Sequence, residues 1–262
     1  MIDFLIGYLC QIGLTVGIIA LFGFVIASLR KAFCVICGRG GNKILLATGI
    51  VGTPIHELSH ALMCIIFGHK ITEIKLYQPS GRDGALGYVN HSYNRKNLYH
   101  QIGNFFIGTA PIVVGSGVLV LLMGLLLPHA FDTMITDLSG ISEIVDFFPF
   151  VISVMESIFL DAMDTWQPWV FLVLAIMIAG HMEMSGADIK GSLGGLGILS
   201  FLWLLVSGAV FLLSSGTFEE ITSACASFAL ILSAFFSIAI IFLLIMLVLA
   251  FLIKLIISPF RR

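Results

Sequence analysis

Thr53-Pro54-Ile55-His56-Glu57-Leu58-Ser59-His60-Ala61-Leu62 sets a His-Glu-x-x-His pattern inside an otherwise apolar segment. On a helix, His56 and His60 stand four residues apart and share one face. That spacing lets two imidazoles bind one zinc ion, with Glu57 one step round the helix as a general base. Seven His and seven Glu in 262 residues would produce the pattern by chance in roughly one such chain in two hundred. Its placement adds weight, because ionisable side chains at membrane depth are costly and mark function by default.

Working outward, hydrophobic residues make up 59% of the chain, charged residues 11%, and the mean hydropathy is +1.09. A soluble domain cannot cover itself with so little polar surface, so lipid must solvate much of this one. The chain is read as all-α and polytopic, with about six transmembrane helices and a small membrane-associated β-hairpin. No basic run points to nucleic acid, and the formal charge of -2 names no partner. The five cysteines (Cys10, Cys34, Cys37, Cys64, Cys225) do not form a secreted disulfide framework, and Cys34-x-x-Cys37 reads as two incidental thiols. Met1-Ile2-Asp3 lacks the basic region and cleavage site of a signal peptide, so the first apolar run is expected to be a retained span.

The expected spans are Phe4–Leu29, Ile44–Gly68, Gln101–Leu127, Val170–Met184, Gly194–Ser215 and Phe228–Ile253. Pro54 is expected to kink the second span or to start a fresh helix. Arg30, Lys31, Arg39 and Lys43 fall in a Gly-rich connector, 30–43. Lys70–Tyr77 alternates, Gly87–Tyr93 is strand-like, and the turn-rich joint Pro79–Gly84 lies between them, so a hairpin with a free edge is expected within 69–100. In the third span Gly103, Gly108, Ala110, Gly115 and Gly117 allow close helix contact. Segment 128–168 carries seven acidic residues and no Lys or Arg. It is expected to face outward, with 141–163 along the membrane surface, while Lys254, Arg261 and Arg262 suit a cytoplasmic end. Six spans then put the basic connector 30–43 outside, against the positive-inside tendency. A re-entrant segment near 44–68 would remove that conflict.

Zinc catalysis needs three protein ligands and an open coordination position. His56 and His60 supply two, and the end of the fourth span offers His181, Glu183 and Asp188 for the third. Ligand chemistry alone favours His181. The remaining histidines, His69, His91, His100 and His129, sit in polar segments and read as surface residues.

This order of elements resembles the site-2 protease family of intramembrane zinc metalloproteases. That family places His-Glu-x-x-His on a first core span, then a membrane-associated hairpin, a second span, and a third span bearing an Asp ligand within Leu-Asp-Gly. The corresponding residues here are His56-Glu57-Leu58-Ser59-His60, the hairpin at 70–93, the span from Gln101, and Ala187-Asp188. Ala187 and Ile189 replace the Leu and Gly of the family, and its preceding Asn and Pro are missing from His181–Asp188. The resemblance covers roughly 44–195, leaving 1–43 as a peripheral helix and connector and 196–262 as two further helices.

What the resemblance implies is specific. Zn2+ is the cofactor, with His56, His60 and Asp188 as ligands (His181 the alternative) and Glu57 as the catalytic base. The substrate is a membrane protein whose transmembrane helix unwinds and is cut by regulated intramembrane proteolysis, at the cell (plasma) membrane. An unwound strand would add to a hairpin edge at Ile71–Tyr77 or Leu86–Val89. Asn104 would either bind substrate backbone or bridge helices.

Two rival readings use the same residues. A transporter for ions or metals would line its pathway with His56, Glu57, His60 and Asp188, though no inverted repeat is visible. A different class of membrane metalloprotease would complete the site with Glu183.

Overall fold

The computed structural model describes residues 2–79, 85–141 and 143–257. The chain opens with α1 (Ile2–Ile12), which passes through a π-helical turn (Gly13–Gly17) into α2 (Ile18–Cys37). Then come α3 (Arg39–Ile66), β1 (Lys70–Lys75), β2 (Tyr88–Ser92), α4 (Leu98–Leu126), α5 (Pro128–Leu138), α6 (Phe147–Asp164), α7 (Gln167–Ala179), α8 (Gly186–Leu213) and α9 (Ser215–Ile257). With the α1–α2 run counted once, the described residues form eight helices and one two-stranded antiparallel sheet. Five helices are long and apolar enough to cross a bilayer: the α1–α2 run, α3, α4, α8 and α9. The protein is therefore a multi-pass membrane protein.

The fourth expected span is corrected. Its helix, α7, has 13 residues and reaches about 20 Å, short of the roughly 30 Å hydrocarbon core. After Gly180 the backbone leaves the helix, and 182–185 run without regular structure to the start of α8. Asp188 accordingly stands in the first turn of α8, which begins at Gly186 rather than Gly194, and not at the end of the preceding span.

The connector 30–43 is also corrected. α2 runs to Cys37 and α3 starts at Arg39, leaving Gly38 as the joint with φ +53°, a conformation that favours glycine. Arg30 is not a loop charge, because it forms an ion pair with Glu183. Pro54 does not end the motif helix, which runs unbroken from Arg39 to Ile66. In the acidic segment, α6 turns one face to the core and leaves Phe148, Ile152 and Phe159 exposed on the other. Phe150, Val154 and Ile158 enter the core, while Glu156 and Asp164 stay exposed.

That core is built from Ile26 and Phe33 of α2, Ile112, Leu119 and Met123 of α4, Phe171 and Ile178 of α7, and Phe236 and Phe242 of α9. Small residues bring α4 and α8 together beside it. A Cβ on Gly195 would lie 2.6 Å from the Gln101 carbonyl oxygen and 2.7 Å from the Phe105 nitrogen. Both are backbone atoms with no room to yield. Gly195→Ala is expected to destabilise the protein by about 1–3 kcal/mol through overpacking, read as a lower unfolding midpoint in detergent. An unchanged midpoint would mean that α4 and α8 are free to part.

The hairpin folds back along α3. Tyr77 Oη donates to the Leu46 carbonyl at 2.7 Å, and Tyr77 and Leu86 pack over Gly49. Residues 80–84 of the expected joint, like Arg261 and Arg262, lie outside the described residues. Elsewhere, buried Gln11 ties α1, α8 and α9 together. Its Oε1 accepts from Trp203 Nε1 at 2.9 Å and Ser207 Oγ at 2.8 Å, and its Nε2 donates to Thr222 Oγ1 at 2.9 Å.

Candidate metal centre

His56 and His60 lie on one face of α3, and each ring has one nitrogen committed to a backbone carbonyl. His56 Nδ1 donates to the His181 carbonyl at 2.6 Å, and His60 Nδ1 donates to the Ile107 carbonyl at 2.7 Å. A carbonyl only accepts, so both protons are on Nδ1 and both Nε2 atoms carry lone pairs.

Each carbonyl is free for a reason that lies in the sequence. Within α4, Ile107 would ordinarily bond to the N–H four residues on, but that residue is Pro111, which has none. His181 lies beyond the end of α7, so its carbonyl escapes the helical ladder. Irregular backbone of this kind is tolerated at membrane depth where protein covers it, and the His181 ring is held between Thr48 and Thr53 over Gly52.

The two Nε2 atoms face one another at 3.1 Å, and His60 Nε2 lies 3.4 Å from Asp188 Oδ1. Asp188 is steered by the start of its helix. Ser185 Oγ accepts from the Asp188 N–H at 3.1 Å, and Asp188 Oδ2 accepts from the Ser185 N–H at 2.8 Å. This reciprocal cap occupies one carboxylate oxygen and presents the other to the histidines.

Three ligand-type atoms, one each from His56, His60 and Asp188, thus lie within 4.8 Å of one another. In a tetrahedral zinc site with bonds near 2.0–2.1 Å, ligand atoms stand about 3.4 Å apart. The observed separations and the donor set of two imidazoles and a carboxylate fit such an ion. Three acceptors converging without a donor also call for a cation on electrostatic grounds.

Buried Glu57 lies beside this group and lines a cavity of about 330 Å³ with Arg30, Thr53, His56, Gly87, Glu183 and Ser185. The hairpin closes one side. A Cβ on Gly87 would lie 2.7 Å from Glu57 Cγ and 2.9 Å from its Oε1, so the hairpin backbone just before β2 passes directly over the carboxylate.

The structure thus brings His56, His60, Glu57 and Asp188 together. It does not bring in the His181 ring, whose nitrogens face Thr48 and Thr53; His181 acts through its carbonyl instead. Glu183 is engaged by Arg30. Asn104 is half-buried on α4 and is not among the described residues lining the cavity. Sequence reasoning missed Arg30 and Ser185 as site residues, although Ser185-x-x-Asp188 has the form of a helix-capping signature. It also placed His69 on the surface, where the structure buries it at 5% exposure. No protein-family model matches the chain, and comparison with curated proteins and with solved structures likewise finds no match.

Proposed function

We propose that this protein is an intramembrane zinc metalloendopeptidase resembling the site-2 protease family, acting on membrane proteins of the cell (plasma) membrane by cutting in or near a transmembrane segment. The observation that carries the reading is the convergence of His56, His60 and Asp188 beside buried Glu57, with Glu57 and His56 lining a cavity that the hairpin closes at Leu86 and Gly87.

His56 Nε2, His60 Nε2 and an Asp188 oxygen would hold the ion. Zn2+ held there would supply Lewis acidity toward a peptide carbonyl and a more acidic water at neutral pH. Glu57 takes the proton from the attacking water and delivers it to the departing amine, so water adds across the C–N bond with no further reactant. The His181 and Ile107 carbonyls fix both imidazoles in the tautomer that leaves Nε2 free.

The hairpin orients substrate. β1 and β2 pair only with each other among the described residues, so an unwound substrate strand can add along Leu86–Val89. Gly87 would carry the scissile region past Glu57.

The test is cleavage of a single-span substrate by the full chain reconstituted in proteoliposomes. Cleavage is expected to stop with a zinc chelator and return with added Zn2+. Cleavage that persists in excess chelator would sink the proposal. Chelator-insensitive ion flux without cleavage would favour a transporter.

A further inference from the structure

A second group of ligand-type side chains sits one helical turn beyond the first. α3 ends with Gly68 at φ +69°; the Gly68 N–H bonds to the Ile65 carbonyl at 3.2 Å and the His69 N–H to the Cys64 carbonyl at 2.8 Å. This two-bond helix ending commonly sets the residues at the positions of Cys64 and His69 against each other as an apolar pair. Here the pair is a thiol and an imidazole, both buried.

The imidazole is oriented as a ligand. His69 Nε2 donates to the His100 carbonyl at 2.8 Å, so its Nδ1 carries the lone pair. Tyr93 stacks on the ring at a centroid distance of 4.8 Å and fixes its plane. His91 of β2 then brings its Nδ1 to 3.0 Å from His69 Nδ1. A bulge in the facing strand, between Ile71 and Glu73, adjoins the Ile71–His91 pair, and bulges re-aim side chains in this way. One ligand atom from each of Cys64, His69 and His91 lies within 4.8 Å of the others.

We propose that Cys64, His69 and His91 form a second metal site, for Zn2+, which pins the β-hairpin to the C-terminal end of the motif helix. One thiolate and two imidazoles suit zinc and disfavour calcium or magnesium. Binding displaces the Cys64 thiol proton to solvent and changes no oxidation state. The metal ties α3 to β2, so it sets the position of the hairpin backbone at Gly87 that overlies Glu57. It differs from the first site in its sulfur ligand, and that difference provides the readout.

The experiment loads the full chain in detergent with Co2+ alone. Thiolate-to-cobalt charge transfer absorbs in the near ultraviolet, and only a cysteine-ligated site gives it. Wild type is expected to show the band. Cys64→Ser and His91→Asn are expected to lose it and to hold one fewer equivalent of zinc, with helix content unchanged. His60→Ala is expected to keep the band, which separates this proposal from the protease reading. Absence of the band in wild type, or its survival in Cys64→Ser, would overturn the second site. A single proton shared by His69 and His91 would then account for their contact.

Discussion

Glu57→Gln is expected to leave zinc bound and to slow peptide hydrolysis by about 10²–10⁴-fold, the usual contribution of a positioned general base. The substitution is nearly isosteric, so the contact with Gly87 survives while the proton acceptor is lost. Glu57 is not among the three ligand residues, so the metal should remain. The measurement is paired: zinc content of the purified variant, and cleavage of the membrane substrate under single-turnover conditions. Full hydrolysis by Glu57→Gln would remove Glu57 from the mechanism, and loss of zinc with activity would make it a ligand instead.

The second large effect concerns the third ligand. Asp188→Ala is expected to reduce zinc at the first site to background, as is His60→Ala, because either change removes one of three converging donors. His181→Gln is expected to keep the metal, since the carbonyl that receives His56 belongs to the backbone. Ser185→Ala should fall between them. It leaves every ligand in place but removes half of the reciprocal cap, which should weaken zinc by about 10–100-fold and cost about 1 kcal/mol of stability. Competition with a chromogenic chelator orders the four variants. Zinc retained in Asp188→Ala and lost in His181→Gln would reverse the assignment.

The candidate metal centre is only half legible in the sequence, for local reasons. Two histidines four apart in an apolar run announce themselves, because the helix period alone puts them on one face. Asp188 was reachable only through the order of elements, and it was set at the end of a span rather than at the start of α8. The apolar run from Val170 to Met184 hides the point where the backbone leaves the helix. That departure serves His56, more than a hundred residues earlier, and no local pattern encodes it. In the sequence Arg30 is a connector charge near glycines, whereas its partner Glu183 lies in a different part of the chain. The polar neighbours of His69 point to the surface, yet Gly68 one residue before it turns the chain so that His69 packs against the helix it has just left. Pro111 was visible throughout. Its consequence, an unclaimed carbonyl at Ile107, becomes meaningful only when His60 is seen to use it.

Gln11 carries a consequence for how the chain is made. Its amide is satisfied by Trp203, Ser207 and Thr222, which follow it by 192, 196 and 211 positions. At about 5–20 residues per second of synthesis, these partners arrive roughly 10–40 s after α1 emerges. For that interval the helix holds an unpaired amide with lipid around it, a condition that favours keeping it near the insertion machinery or another polar helix. α8 and α9, made well after α1, are therefore the helices that release it into its final place.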